Sequence, residues 1–186
     1  TPSPTPRPTR RGHFDRGYAY LAKGFIEEAI AQYNEAIRLD PQYAEAYFYR
    51  AYAYSEIGQH EKAIEDLTNA IRLNPQGADA YFNRAYEYAQ LGQYDRAIKD
   101  FDKVILINPQ DAAAYFSRAY AYGEIGQHDQ AIKDFTNGIR LNPQDADAYF
   151  ARAYAYAQLG QYELALQDLD DAFQIRPQEA DFFSFR

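Results

Sequence analysis

Apolar positions recur along this chain with two periods, a short one nested in a long one. Across residues 44–57, Tyr47, Ala51 and Tyr54 fall at i, i+4 and i+7 with no Gly or Pro between them, the spacing that places side chains on one face of an α-helix. A second helix is predicted over residues 60–74, where Ala63, Ile64, Leu67, Ala70 and Ile71 share a face. Its acids Glu61 and Glu65 come early and Arg72 comes late, which suits the helix dipole. Gly58 separates the two segments, because glycine readily takes the left-handed conformation that closes a helix. Asn74-Pro75 stops the second one, since proline lacks a backbone donor and forces its predecessor out of the helical region.

The long period is 34 residues. Pro41, Pro75, Pro109, Pro143 and Pro177 keep it, each followed by Gln, and so do Gly24, Gly58, Gly92, Gly126 and Gly160, and Ala29, Ala63, Ala97, Ala131 and Ala165. A fixed period of this size is the mark of a solenoid or array. One short helix pair cannot bury its own apolar face, so stacking on the next pair must do so. The prediction is an all-α chain of antiparallel helix pairs at about 10–43, 44–77, 78–111, 112–145 and 146–179, with a truncated capping helix at 180–186 and an extended linker at 1–12. A 68-residue period is also visible, in which His60 and His128 alternate with Tyr94 and Tyr162.

These columns resemble the tetratricopeptide repeat family. In residues 78–111 the likeness is carried by Tyr81, Arg84-Ala85, Tyr88, Ala97, Phe101 and Pro109. The departures are systematic. Tyr stands where the family has Trp, Arg16, Arg50, Arg84, Arg118 and Arg152 stand where Leu is usual, and only the first copy has the expected Gly17 where the others have Ala. The resemblance implies a right-handed superhelical solenoid and a protein-binding role, with no cofactor. Two of the family's binding modes are unsupported. The positions that hold a C-terminal carboxylate in its chaperone-binding members carry Phe14, Tyr18, Tyr49, Asp79 and Asn83 here, and no asparagine ladder is present.

Composition narrows the function. The net charge is −8. The first twelve residues carry Arg7, Arg10 and Arg11 and no acid, so the repeats are more acidic than the whole. Such a body repels a phosphate backbone, and nucleic-acid binding is not expected. No run of 18 apolar residues exists, so membrane insertion by this segment is not expected. Met and Cys are absent. The first absence predicts that a segment ahead of Thr1 has been removed, and the second excludes disulfides and thiolate metal sites.

Catalysis finds no motif. His60 and His128 lie two repeats apart, too far to share a metal when packed helices are spaced by about 8–10 Å. Each follows a Gly-Gln turn and reads as the exposed start of a helix. A second stripe on the first helix of each copy is more informative. It runs Phe14/Tyr18, Phe48/Tyr52, Phe82/Tyr86, Phe116/Tyr120 and Phe150/Tyr154. By the family resemblance these positions line a concave groove. Beside them stand Glu45, Asp79 and Asp147 near the helix starts, and Glu56, Gln90, Glu124 and Gln158 near the ends, with Asn83 as a lone amide. The same aromatics could instead pack between neighbouring helices, and the two roles are compatible, because a tyrosine buries its ring flank while presenting its hydroxyl.

The expected function is a scaffold that binds a peptide or protein segment carrying apolar or Pro residues together with Lys or Arg. The alternatives are a self-assembly module joined through solenoid ends and an accessory domain of a larger enzyme or membrane-anchored protein. Phe182, Phe183 and Phe185 at the C-terminal end, or the Pro-rich tail, would mediate homo-oligomer contacts. The Arg column shares its copies with Asp66, Asp100, Asp134 and Asp168, which predicts ion pairs inside each repeat.

Overall fold

The structure is a computed structural model that describes residues 9–177. Those residues form ten α-helices: α1 (Arg10–Leu21), α2 (Ile26–Leu39), α3 (Ala44–Glu56), α4 (His60–Leu73), α5 (Ala78–Gln90), α6 (Tyr94–Ile107), α7 (Ala112–Glu124), α8 (His128–Leu141), α9 (Ala146–Gln158) and α10 (Tyr162–Ile175). The chain divides into two compact units, one ending at Leu91 and the other starting at Gly92. The first holds α1–α5 and the second α6–α10, and within each unit every helix packs on the next.

The turns follow from backbone chemistry. Gly58 has φ +69° and sits just past the end of α3. Its N–H donates to the Ser55 carbonyl at 2.9 Å, and Gln59 N–H donates to the Tyr54 carbonyl at 2.9 Å. This pair of bonds satisfies carbonyls that the helix end would otherwise leave open. The other four turn glycines of the period adopt the same left-handed conformation.

The core is built mainly by the second helix of each pair. Ala63, Leu67 and Ala70 on α4, Ala97, Phe101 and Val104 on α6, and Ala131, Phe135 and Gly138 on α8 are buried. The first helices contribute small residues, such as Ala46, Ala51 and Ala53 on α3 and Ala114, Ala119 and Ala121 on α7. Small side chains there let the backbones approach closely. Tyr47 and Tyr54 of the predicted α3 stripe are only half-buried and flank the core. Fully burying a Leu67 or a Phe135 is worth about 1.5–3 kcal/mol. Ordering costs about 1–2 kcal/mol per residue in backbone alone, so a single pair does not suffice and successive pairs must stack.

The first pair shows one compensated departure. Tyr33 is fully buried where the other copies have Leu or Phe, and a Cβ on Gly17 would lie 2.7 Å from its ring. Gly17 therefore makes room for Tyr33. The Tyr33 hydroxyl has no hydrogen-bond partner among the described residues.

The extended linker expected at residues 1–12 differs from what is found at its end. The helix α1 already begins at Arg10, and Thr9 caps it by accepting from Gly12 N–H at 3.1 Å. The last tail proline is Pro8, so nothing prevents helix from Thr9 onward, and Thr is a favoured cap. Two of the three tail arginines accordingly serve the first repeat. Arg10 pairs with Asp40, and Arg11 pairs with Asp15 at 2.9 Å. Residues 1–8, the capping helix 180–186 and its three phenylalanines lie outside the described residues.

Candidate functional site

The paired aromatic columns occupy different environments. Tyr52, Tyr86, Tyr120 and Tyr154 are 48%, 51%, 50% and 64% exposed. Phe48, Phe82, Phe116 and Phe150 are half-buried, and Phe14 of the first copy is buried. The reason is visible at two copies. The Phe116 ring lies directly over Gly138 of α8, where any Cβ would overlap it, and Phe150 meets Phe173 of α10 edge-on with centroids 5.5 Å apart. These two phenylalanines thus brace the first helix of a pair on its own second helix. The tyrosines one turn further on are left facing outward.

In the first unit, Phe48, Tyr52, Glu56, Asn83, Tyr86 and Gln90 line one cavity of about 330 Å³ between α3 and α5, floored by Leu67. Asp79 is not part of it. It borders a separate hollow of about 230 Å³ beside Phe48, and its backbone carbonyl accepts from Asn83 Nδ2 at 2.8 Å. The charge of Glu56, aided by partial burial, pushes the Tyr52 hydroxyl above its ordinary range. In the second unit, Tyr120, Glu124 and Tyr154 line a cavity of about 550 Å³ with Gln158. Glu124 accepts from the Tyr94 hydroxyl at 3.4 Å.

The first cavity also holds a polar cluster that the sequence did not suggest. Glu87 is 3% exposed. The Ser55 hydroxyl donates to its Oε1 at 2.6 Å, and His60 Nδ1 lies 2.7 Å from its Oε2. His60 is therefore half-buried against a carboxylate, not the exposed helix start expected of it. One signal could have found the cluster. Glu87 is the single acid in the column Ala19, Ala53, Glu87, Ala121, Ala155, and a buried acid requires partners.

Models of the tetratricopeptide repeat match residues 17–58, 44–76, 78–111 and 116–180. The chain belongs to the tetratricopeptide repeat family. Solved structures agree. A crystal structure of MamA superposes with a TM-score of 0.85 at 26% identity, covering 89% of this chain and 96% of that one. MamA from Desulfovibrio magneticus RS-1 gives 0.86 at 18% identity, covering 91% and 96%. YrrB, described as a tetratricopeptide protein with an unusual peptide-binding site, gives 0.81 at 24% identity, covering 89% and 86%. No curated protein sequence is significantly similar to the chain. The fold is the all-α tetratricopeptide solenoid, a protein–protein interaction scaffold.

Within this tetratricopeptide array the arginines that replace the usual leucine have a defined task. Arg50 grips Asp66 with two bonds, Nε to Oδ2 at 2.7 Å and Nη2 to Oδ1 at 2.6 Å. Arg118 does the same to Asp134, and Arg152 to Asp168. Each guanidinium is flanked by two tyrosine rings, Tyr47 and Tyr54 for Arg50, and Tyr149 and Tyr156 for Arg152. The remaining nitrogen reaches back to the second helix of the preceding copy. Arg50 donates to Asn34 at 2.6 Å, Arg84 to Thr68 at 3.0 Å, Arg118 to Asp102 at 2.6 Å and Arg152 to Thr136 at 3.0 Å. At Arg118 burial pulls the guanidinium down, but the hydrogen bonds and charges of Asp134 and Asp102 outweigh it and hold it above its ordinary value. The Tyr and Arg departures from the family pattern are thus one unit, a planar cation between two rings.

Proposed function

We propose that the chain binds rather than catalyses, and that each unit holds a segment of a partner protein on its outward tyrosines, those of α3 and α5 in the first and those of α7 and α9 in the second. The observation that carries this is the exposed register of Tyr52, Tyr86, Tyr120 and Tyr154, each one turn beyond a half-buried phenylalanine. The bound segments would contact Phe48, Phe82, Phe116 and Phe150 at their exposed edges, with Glu56, Asp79, Asn83, Gln90 and Glu124 around them. Aromatic faces take both prolines and cations, and the flanking acids favour Lys or Arg. The partner is therefore an apolar or Pro-containing segment with basic residues. The peptide-binding site attributed to YrrB supports a polypeptide ligand for this fold, not the same residues.

The test is affinity for an immobilised library of Pro- and Lys-containing peptides, read before and after the paired substitution Tyr52→Ala/Tyr86→Ala. Both side chains are exposed, so the thermal melt should stay put while affinity falls about tenfold or more, as expected for loss of aromatic anchors. Equal binding by the wild type and the variant would exclude the tyrosine column as the ligand surface.

A further inference from the structure

The two cavities are related by the 68-residue period, and their walls can be compared position by position. Ala51, Tyr52, Glu56, His60, Tyr86 and Gln90 of the first recur as Ala119, Tyr120, Glu124, His128, Tyr154 and Gln158 in the second. Three polar positions do not recur. Glu87 becomes Ala155, Ser55 becomes Gly123 and Asn83 becomes Ala151. The second cavity is correspondingly larger, about 550 Å³ against about 330 Å³.

The histidine recurs and its partner does not. In the first unit, His60 Nδ1 is satisfied by the Glu87 carboxylate at 2.7 Å. In the second unit, His128 Nδ1 is buried and has no hydrogen-bond partner among the described residues. A buried polar atom without a partner is costly, and the His128 side chain that carries it borders a cavity of about 550 Å³. Glu124 lines that cavity too, yet its carboxylate accepts from Tyr94 instead.

We propose that the cavity between α7, α8 and α9 receives a carboxylate side chain, Glu or Asp, from a partner polypeptide, and that His128 holds it as His60 holds Glu87. The occupant follows from the first unit, which shows the group that fits this wall: a carboxylate entering from the position of Ala155. Charge is consistent. The wall of the first cavity folds with both Glu56 and Glu87, whereas the second has Glu124 alone, so one incoming carboxylate restores the same balance. Gln158 and Tyr154 remain on the wall to meet its other oxygen. This site is not the family's terminal-carboxylate grip, whose positions carry Phe14, Tyr18, Tyr49, Asp79 and Asn83 here. The site shares Tyr120, Glu124 and Tyr154 with the tyrosine column, but it is carried by His128 and adds one acidic side chain to whatever segment that column holds.

The experiment follows the imidazole resonances of His13, His60 and His128 in the full chain during titration with capped Gly-Ala-Glu-Ala-Gly. Controls replace the central Glu by Gln or Lys, or use acetate alone. The expected result is a saturable shift at His128 only, with an affinity for the Glu peptide about tenfold or more above every control, the scale of a charge-assisted hydrogen bond. Ala155→Glu should move the His128 resonance to the bound position without peptide and abolish the response. Glu124→Gln should tighten the Glu peptide, because it removes a repelling charge. Glu87→Ala should give His60 the response that His128 has in the wild type. An equal or greater effect of the Lys or Gln peptide overturns the proposal. So does acetate acting at the same concentration, a response that survives in folded Ala155→Glu, or Glu-peptide affinity that falls in Glu124→Gln. The Tyr52→Ala/Tyr86→Ala variant should keep the His128 response, which separates failure of this site from failure of the tyrosine column.

Discussion

Replacing Arg50 by leucine, the residue usual at this place in tetratricopeptide repeats, measures what the buried ion pairs contribute. Arg50 and Asp66 have side chains 17% and 4% exposed. The substitution removes two bonds to Asp66 and one to Asn34. It leaves a buried carboxylate with no counter-charge, which costs about 3–5 kcal/mol. The double variant Arg50→Leu/Asp66→Leu removes both charges, and apolar pairs of similar volume come within about 1 kcal/mol of a buried ion pair or exceed it. The single variant should therefore be far less stable than the double one, in urea unfolding followed by far-UV circular dichroism. Acidity supplies a second signature. Burial raises the Asp66 carboxyl even against the Arg50 bonds that lower it, and losing Arg50 raises it further. A carboxyl raised in the folded state holds its proton there first, so stability grows as pH falls from above that value toward the unfolded value of about 3.9. The deficit of Arg50→Leu should be largest at neutral pH and shrink on acidification, while the double variant shows no such narrowing. A single-variant cost below about 1 kcal/mol, or equal costs for the single and double variants, would refute the reasoning.

Tyr33→Phe removes a buried hydroxyl without a partner and should stabilise the chain by about 1 kcal/mol in the same urea assay. Burial, with Tyr49 and Tyr18 nearby, holds that hydroxyl well above its ordinary range. The unfolded chain loses the proton first, so wild-type stability should fall more steeply than the variant's above about pH 10. Gly138→Ala drives a methyl into the Phe116 ring and should cost about 1–3 kcal/mol. Phe116→Leu should restore part of that in a double-variant cycle, and additive losses would show that the two residues are not coupled. Glu87→Ala gives this position the alanine of its column but leaves Ser55 and His60 without their acceptor, and should lower stability by about 1–3 kcal/mol in thermal melts.

Local chemistry made much of the fold legible. Gly58 and Pro75 mark where helices end because backbone conformation alone decides it. The pairing of Arg50, Arg118 and Arg152 with acids of the same copy was also readable, since period and charge suffice to match them. The third bond of each arginine was not, because Asn34, Thr68, Asp102 and Thr136 belong to the preceding copy and are not of one residue type. Helical spacing also gave Phe116 and Tyr120 the same prominence, although only the tyrosine is turned outward. What separates them is Gly138 on another helix, a packing fact with no mark in the stripe itself. The partnership of His60 with Glu87 escaped because it joins consecutive copies at positions 27 residues apart, off the repeat period.

The backward reach of the arginines gives the array a direction. Each copy from the second onward supplies a donor and draws its acceptor from the copy before it. Arg16, in the first copy, is exposed, and Gln32 stands at the place of the aspartate and meets His13 at 2.8 Å. At the other end Asp170 of α10 continues the acceptor column of Asn34, Thr68, Asp102 and Thr136. Repeats of this array are therefore not interchangeable bricks. An engineered copy grafted after α10 would find its acceptor already in place. One grafted ahead of α1 would have to carry an acceptor for Arg16, and shuffling would exchange a charged acceptor for a neutral one wherever Asp102 or Asp170 traded places with Asn34, Thr68 or Thr136.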